Sequence, residues 1–110
     1  MSEPILFGLY TAQFPFLDTV ETKIRPVIVV SKPHGKHHIV AIIPVSSQTK
    51  REEVDVALKQ WGREGLLKPS VARVHRLTTM LQSDLFAELG TLQTDDVQMI
   101  KKSMRNLLNL

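Results

Sequence analysis

The sequence predicts a mainly β domain of the α+β class, in which short strands form a barrel-like sheet and one C-terminal helix covers its open face. Short β-branched or alternating segments, separated by proline, glycine and polar residues, fill roughly the first eighty residues. After residue 93 the apolar residues instead recur at helical spacing. The 110 residues, 43% of them hydrophobic, fit a single domain spanning residues 1–110 with a substantial core.

Three strands are predicted in the first half of the chain. Residues 6–14 form the first strand, and residues 27–31 form a second that is buried on both faces, because its apolar run is continuous. Pro26 is expected at the start of that second strand, since proline has no N–H for the ladder. Residues 32–36 have turn chemistry, so a third strand at residues 38–45 should pair with the second as an antiparallel hairpin.

Shorter elements are predicted in the second half. Residues 54–58 and residues 71–77 alternate in polarity, which predicts strands. Between them, residues 61–68 form a loop that carries two glycines. Residues 83–89 are expected to form a short helix, and residues 90–93 return to an extended chain.

The last segment is the clearest helix of the sequence. Thr94 is the expected N-cap, and Asp95 and Asp96 suit the positive end of the helix dipole. One apolar stripe follows at helical spacing: Val97, Ile100, Met104, Leu107 and Leu108.

Composition narrows the possible functions. The chain has no cysteine, which excludes disulfides and thiolate metal sites. No apolar stretch approaches the ~20 residues that span a bilayer, and the first residues do not resemble a secretory signal, so a cytoplasmic protein without a membrane segment is expected. The net charge of +3 is a mild bias toward polyanionic partners.

Arg25 is the first candidate functional residue. It directly precedes Pro26 and the buried second strand, so its guanidinium should lie at the rim of the core. An arginine held there can direct its donors at a phosphate or a carboxylate. The alternative is a surface arginine that merely precedes a strand.

Histidines and the single tryptophan offer weaker signals. His34, His37 and His38 suggest a metal site, but adjacent strand residues point to opposite faces, so polar residues at a hairpin tip are favoured and no metal or cofactor is expected. Trp61 could stack on a nucleic-acid base. Packing of Trp61 onto the barrel is favoured, since tryptophan is mostly well buried.

Several short motifs match, in order, one known family. Residues 25–31, Arg-Pro-Val-Ile-Val-Val-Ser, and residues 44–50, Pro-Val-Ser-Ser-Gln-Thr-Lys, resemble the Arg-Pro-x-x-Val-x-Ser strand and the Pro-x-Thr-Ser/Thr-Gln-x-Lys signature of the MazF/PemK toxins. Residues 14–18 look like a variant of the first loop of that family. Residues 65–70 and residues 90–92 resemble its later segments. The matches cover nearly the whole chain.

This resemblance implies a fold, an activity and partners. The family fold is a small, strongly bent antiparallel barrel related to SH3-like barrels, with added helices, and it usually forms a homodimer. The implied function is a metal-independent endoribonuclease toxin of a type II toxin–antitoxin pair, which cleaves single-stranded RNA through attack by the ribose 2′-OH. An acidic, partly disordered antitoxin protein is the implied partner. The alternative is a catalytically degenerate member that binds RNA or protein.

The catalytic candidates combine this resemblance with chemistry. Arg25 suits the cation that stabilises the pentacoordinate phosphorus, and Ser46 corresponds to the active-site threonine of the family, so that its hydroxyl could hold a phosphate. His75 is a candidate base or acid because histidine titrates near neutral pH. It stands where some members have aspartate, which keeps a non-catalytic histidine open. Glu21, in the first loop, is a competing base.

Contacts with RNA are expected around the same region. Arg73 could be a second phosphate contact, or it could form an ion pair with a neighbouring carboxylate. The full set of expected RNA-binding residues is Lys23, Ser47, Gln48, Lys50 and Arg73.

Overall fold

The structure, a computed structural model, describes residues 3–14, 23–50 and 52–110. Within these ranges it has seven strands and one α-helix. They are β1 (Gly8–Phe14), β2 (Lys23–Val29), β3 (Ile39–Ser46), β4 (Val56–Ala57), β5 (Val71–Ala72), β6 (Thr78–Leu81), β7 (Leu85–Thr91) and α1 (Thr94–Leu108). Short 3-10 helices at Val74–Arg76 and Gln82–Asp84 precede β6 and β7. The mainly β architecture with a terminal helix is as predicted.

The central strand of the sheet is β3. It pairs antiparallel with β2 on one edge, and on its other edge first with β6 and then with β5. The full order is β4-β5-β3-β2-β1-β7, with β6 beside β3. The described strand pairs do not join β4 to β7, so the sheet is not closed into a complete barrel. The fold is a bent, barrel-like sheet.

The predicted hairpin of the second and third strands is confirmed, and so is its burial on both faces. Ile28 belongs to a core cluster that also contains Ile100 of α1, whereas Val27 and Val29 belong to a second cluster on the opposite face. All three side chains are completely buried. Alternating residues therefore fill two different apolar environments, which explains the continuous β-branched run.

Helix α1 covers the first of these clusters, as expected. Ile100 is fully buried, and Val97, Met104 and Leu107 pack against the cluster. Leu108 is the exception in the predicted stripe, because it is 49% exposed in the last turn. The predicted Thr94 cap was wrong: Gln93 is the N-cap residue, and its side chain makes no capping hydrogen bond.

The position predicted for Pro26 was also wrong. Strand β2 begins at Lys23, so Pro26 lies within it, opposite Thr11 of β1. The ladder with β3 starts only at Val27. A proline is tolerated there because its missing N–H falls where β2 is paired along one edge only.

Several predicted elements of the second half have different boundaries. The helix expected at residues 83–89 is instead a 3-10 turn followed by β7, which pairs with the outer edge of β1. The strands expected at residues 54–58 and 71–77 are only two residues long each in the structure. β6 was not predicted. Pairing with an available strand edge outweighs local propensity in these short segments.

Among the described helices, none is both long enough and apolar enough to cross a membrane.

Candidate active site

Arg25 and Ser46 both lie beyond the paired part of β2 and β3, at the same end of this ladder. The ladder pairs Val27 with Pro44, and the same antiparallel register continued by two residues sets Arg25 opposite Ser46. Side chains alternate along a strand, so Arg25 faces the same side as Val27, and Ser46 faces the same side as Pro44. The register thus explains how residues 21 positions apart in the chain come to share one site.

Both residues line one open cavity of about 470 Å³. Its walls come from the start of β2, the end of β3 and the loop that carries Lys68 and Ser70. Arg25 is half-buried there, whereas Lys68 is exposed. Among the described lining residues these two are cations, and there is no carboxylate. Such a lining favours an anionic ligand.

The hydroxyl of Ser46 is oriented by the local backbone. Ser46 Oγ accepts a hydrogen bond of 3.1 Å from the amide of Gln48, which closes a tight turn after β3. A hydroxyl that accepts through its oxygen still has its O–H to donate. Ser47 lines the same cavity, and Gln48 and Lys50 are exposed in the segment that follows.

Two glycines allow the loop at this cavity to lie close to β7. Gly65 has a φ of +98°, and a Cβ at this position would collide with the carbonyl of Leu89. Gly90 likewise lies against the carbonyl of Glu64. Gly65 and Leu89 both line the cavity, so the loop can lie this close to β7 only because neither glycine has a side chain.

A buried carboxyl pair holds the same loop against the start of α1. Glu64 is fully buried, and its Oε2 accepts a 2.7 Å hydrogen bond from the amide of Gln93. Asp96, also fully buried, accepts hydrogen bonds of 3.0 Å from the amides of Lys59 and Gln60. Burial raises the pKa of Glu64 to about 7, and the neighbouring Asp96 carboxyl adds to the rise.

This pair is a feature that the sequence alone does not predict. Asp96 is expected only to suit the helix dipole, and Glu64 belongs to no motif. The two carboxyls are far apart in the sequence, so no local pattern signals their contact.

Arg73 and His75 lie in a different cluster, centred on Asp55. Arg73 is 5% exposed, and its Nη1 lies 3.4 Å from Asp55 Oδ2. His75 Nδ1 lies 2.7 Å from Asp55 Oδ1. Burial alone would raise the pKa of Asp55, but hydrogen bonds from the side chain and amide of His75 and from the amide of Glu52 hold it below its usual range.

This placement separates the predicted site residues into groups. Arg25, Ser46 and Ser47 share the cavity, and neither Arg73 nor His75 is among its described lining residues. For Arg73 the geometry matches the alternative of an ion pair with a neighbouring carboxylate. Glu21 lies outside the described residues, and so does the side chain of Lys23.

A larger cavity of about 710 Å³ lies at the tip of the β2–β3 hairpin. Pro33, His37 and His38 line it together with Glu3. His34, His37 and His38 are exposed at this tip, as expected. The described lining has a carboxylate and no lysine or arginine, so this cavity is a poorer receptor for an anion than the one at Arg25.

Comparisons with known proteins give one consistent result. The family model of the PemK-like, MazF-like toxin of type II toxin–antitoxin systems matches residues 7–108. No curated protein sequence matches the chain.

Solved structures match over almost the whole chain. Mycobacterium tuberculosis toxin MazF-mt6 gives a TM-score of 0.75 at 21% identity, covering 94% of this chain and 97% of that one. MazF (Form-I) from Deinococcus radiodurans gives 0.77 at 20% identity, with complete coverage of both chains. An endoribonuclease in complex with its cognate antitoxin, from a Mycobacterial species, gives 0.76 at 16% identity, covering 97% and 96%. At these identities the likeness shows the fold.

Proposed function

Because the chain belongs to the family of PemK-like, MazF-like toxins of type II toxin–antitoxin systems, we propose that it is an endoribonuclease that cleaves single-stranded RNA in the cavity of Arg25 and Ser46. The observation that carries this proposal is that Arg25 and Ser46 line the same open cavity, whose described lining has no carboxylate. The structures of MazF toxins and of an endoribonuclease with the same fold support it.

The chemistry needs no metal ion. The ribose 2′-OH loses its proton to a base and attacks the adjacent phosphorus, and the 5′ oxygen leaves with a proton, so that the products are a 2′,3′-cyclic phosphate and a 5′-OH. Arg25 stabilises the charge on the pentacoordinate phosphorus, because its fork of donors matches phosphate oxygens and it does not deprotonate. The Ser46 hydroxyl donates to a phosphate oxygen and holds it in place.

Replacing Arg25 tests this mechanism. We expect Arg25→Ala to lower cleavage of single-stranded RNA in EDTA by at least about a hundredfold, as loss of a transition-state donor does elsewhere. Arg25→Lys should retain part of the activity, since it keeps the charge without the planar fork. Arg105→Ala, on the exposed side of the last turn of α1, is the matched control and should cleave normally. Circular dichroism checks that each variant folds.

Unchanged cleavage by Arg25→Ala would remove this residue from the mechanism. A wild-type protein that binds RNA but cuts none, with or without added divalent metal ions, would instead support the second candidate function, a non-catalytic binding module. One observation favours that candidate: the described lining of the cavity contains no group that titrates near neutral pH.

We also propose the partners that the resemblance implies. An acidic antitoxin would be attracted by the net charge of +3 and by the cationic cavity, and an antitoxin complex occurs among the structures of the same fold. A homodimer would cover apolar side chains such as Ile5 and Leu6, which are 46% and 48% exposed. An enzyme acting on cellular RNA would work in the cytoplasm.

A further inference from the structure

We propose that a second cavity, next to that of Arg25 and Ser46, binds a base of the RNA strand beside the cleaved linkage, with Trp61 as its stacking surface. This inference rests on the proposed function, because it deepens the description of the same substrate. It assigns Trp61 a role in binding in addition to the packing role favoured by the sequence.

The two cavities adjoin each other. The second has a volume of about 490 Å³, and Ser47 and Ser70 line both. Ser70 is held at this border by a 2.8 Å hydrogen bond from its hydroxyl to the carbonyl of Lys68. A strand whose phosphate lies between Arg25 and Ser46 can therefore continue into the second cavity without leaving the protein surface.

The second cavity has the composition of a base-binding site. Trp61, Pro69 and Leu58 supply apolar surface, and Ser47 and Ser70 supply hydroxyl groups at its border with the first cavity. A base has an aromatic face and polar edges, so it uses both kinds of surface at once. An aliphatic peptide side chain would leave the polar border unused.

Trp61 is held firmly enough to serve as a platform. It is only partly buried, and its buried part packs against the core cluster beneath α1. The preceding chain is fixed as well, since the amides of Lys59 and Gln60 both donate to Asp96. The open part of the indole thus faces the cavity with little conformational freedom left to lose on binding.

Charge favours a nucleic acid in both cavities. Lys59 lines the second cavity and Lys68 the first, both are exposed, and the described lining of the second cavity also has no carboxylate. Each cavity therefore has at least one exposed lysine in its described lining. These lysines can contact the phosphates on either side of a base that stacks on Trp61.

The chain contains a single tryptophan, so its fluorescence reports on this cavity alone. The probe is a short oligonucleotide with 2′-O-methyl groups, which lacks the attacking hydroxyl and is not cleaved. We expect saturable quenching of the Trp61 emission by this probe. Binding measured independently by the anisotropy of a labelled probe should follow the same curve.

Variants separate stacking from packing. We expect Trp61→Ala to weaken probe binding about tenfold and to raise KM for RNA with little change in kcat, because the stacked base takes no part in the bonds that form and break. Trp61→Phe keeps an aromatic face and should recover most of the affinity. Phe86→Ala removes a half-exposed aromatic side chain of β7 and should bind the probe like the wild type. Thermal melts identify any variant that loses its fold.

The outcomes distinguish this inference from the proposed function. If the protein cleaves unmodified RNA but its Trp61 emission does not change when the probe binds, the base site is overturned and the proposed endoribonuclease activity is retained. If the probe quenches the Trp61 emission but the protein does not cleave unmodified RNA, the base site is supported and the proposed endoribonuclease activity is overturned. Quenching by an acidic peptide but not by the probe would show that the cavity is a peptide site and would overturn the inference.

Discussion

Asp55 is the residue whose tertiary contacts most change the interpretation of the sequence. Its carboxylate pairs with Arg73 and His75, which are two of the residues expected from sequence to contact or cleave RNA. A buried guanidinium needs such a partner, because an unpaired charge in the core is strongly unfavourable. The cluster therefore has a structural explanation that does not involve RNA.

Asp55→Asn tests that explanation. We expect it to lower the free energy of unfolding by about 3 kcal/mol at pH 7, since it leaves Arg73 without its counter-charge. Because the folded-state pKa of Asp55 is depressed, its contribution is present above the unfolded value of 3.8 and is lost as the pH falls through the folded value. Urea denaturation at several pH values measures both effects.

The exposed Asp84→Asn is the matched control, and its free energy of unfolding should change by less than about 0.5 kcal/mol. Normal stability of Asp55→Asn together with lost cleavage would contradict the structural explanation. That result would place the Asp55–His75 pair in the chemistry.

At the scale of elements, the loop between β4 and β5 makes stability depend on pH between about 4.5 and 7. Glu64 fastens this loop to the start of α1. Its pKa rises from 4.5 to about 7 in the folded protein, so the folded state holds a proton that the unfolded state has lost between these values. The contribution of Glu64 to the free energy of unfolding is therefore fully present below about pH 4.5, and it decreases as the pH rises to about 7.

Glu64→Gln should remove this loss, because glutamine stays neutral and can still accept from the Gln93 amide. We expect the variant to gain stability relative to the wild type as the pH rises, by an amount on the order of 1.4 kcal/mol for each unit of raised pKa. Melting temperatures from pH 5 to pH 8 measure the difference. Glu53→Gln, at an exposed position, should follow the wild-type curve, and a parallel curve for Glu64→Gln would contradict the prediction.

The elements also show where local sequence is informative. The hairpin of β2 and β3 was predictable, because a β-branched run with turn residues between its halves permits few alternatives. The same holds for α1, whose apolar stripe is long. A helix was predicted where β7 begins, and this was wrong. β7 forms because it pairs with the free edge of β1, and no residue of β7 itself indicates that this edge is available.

At the scale of the whole molecule, binding of RNA should depend on salt through a small number of phosphate contacts. If Arg25, Lys59 and Lys68 each contact one phosphate, the logarithm of the affinity should fall with the logarithm of salt concentration with a slope of about −2. Lys68→Ala should reduce the magnitude of this slope by about 0.7. Titrations with the 2′-O-methyl oligonucleotide at several salt concentrations provide the measurement.

Lys102→Ala is the control for this experiment, because Lys102 is exposed on α1 and contributes the same charge to the molecule without lining either cavity. Its slope should equal that of the wild type. An equal loss of slope in both variants would mean that overall charge, rather than the two cavities, attracts the RNA.

The sequence by itself determined the mainly β class, the central hairpin, the terminal helix, the family resemblance and the pair Arg25 and Ser46 as leading site candidates. These features depend on local patterns, in which neighbouring residues carry the information. Only the tertiary structure decided that these two residues share a cavity, that Arg73 and His75 contact Asp55, and that a second cavity beside Trp61 adjoins the first. Those facts depend on strand register and on carboxylates that are distant in the chain. A buried charge is unfavourable unless it is paired, so the folded chain adopts the arrangement that leaves the fewest buried charges without a partner.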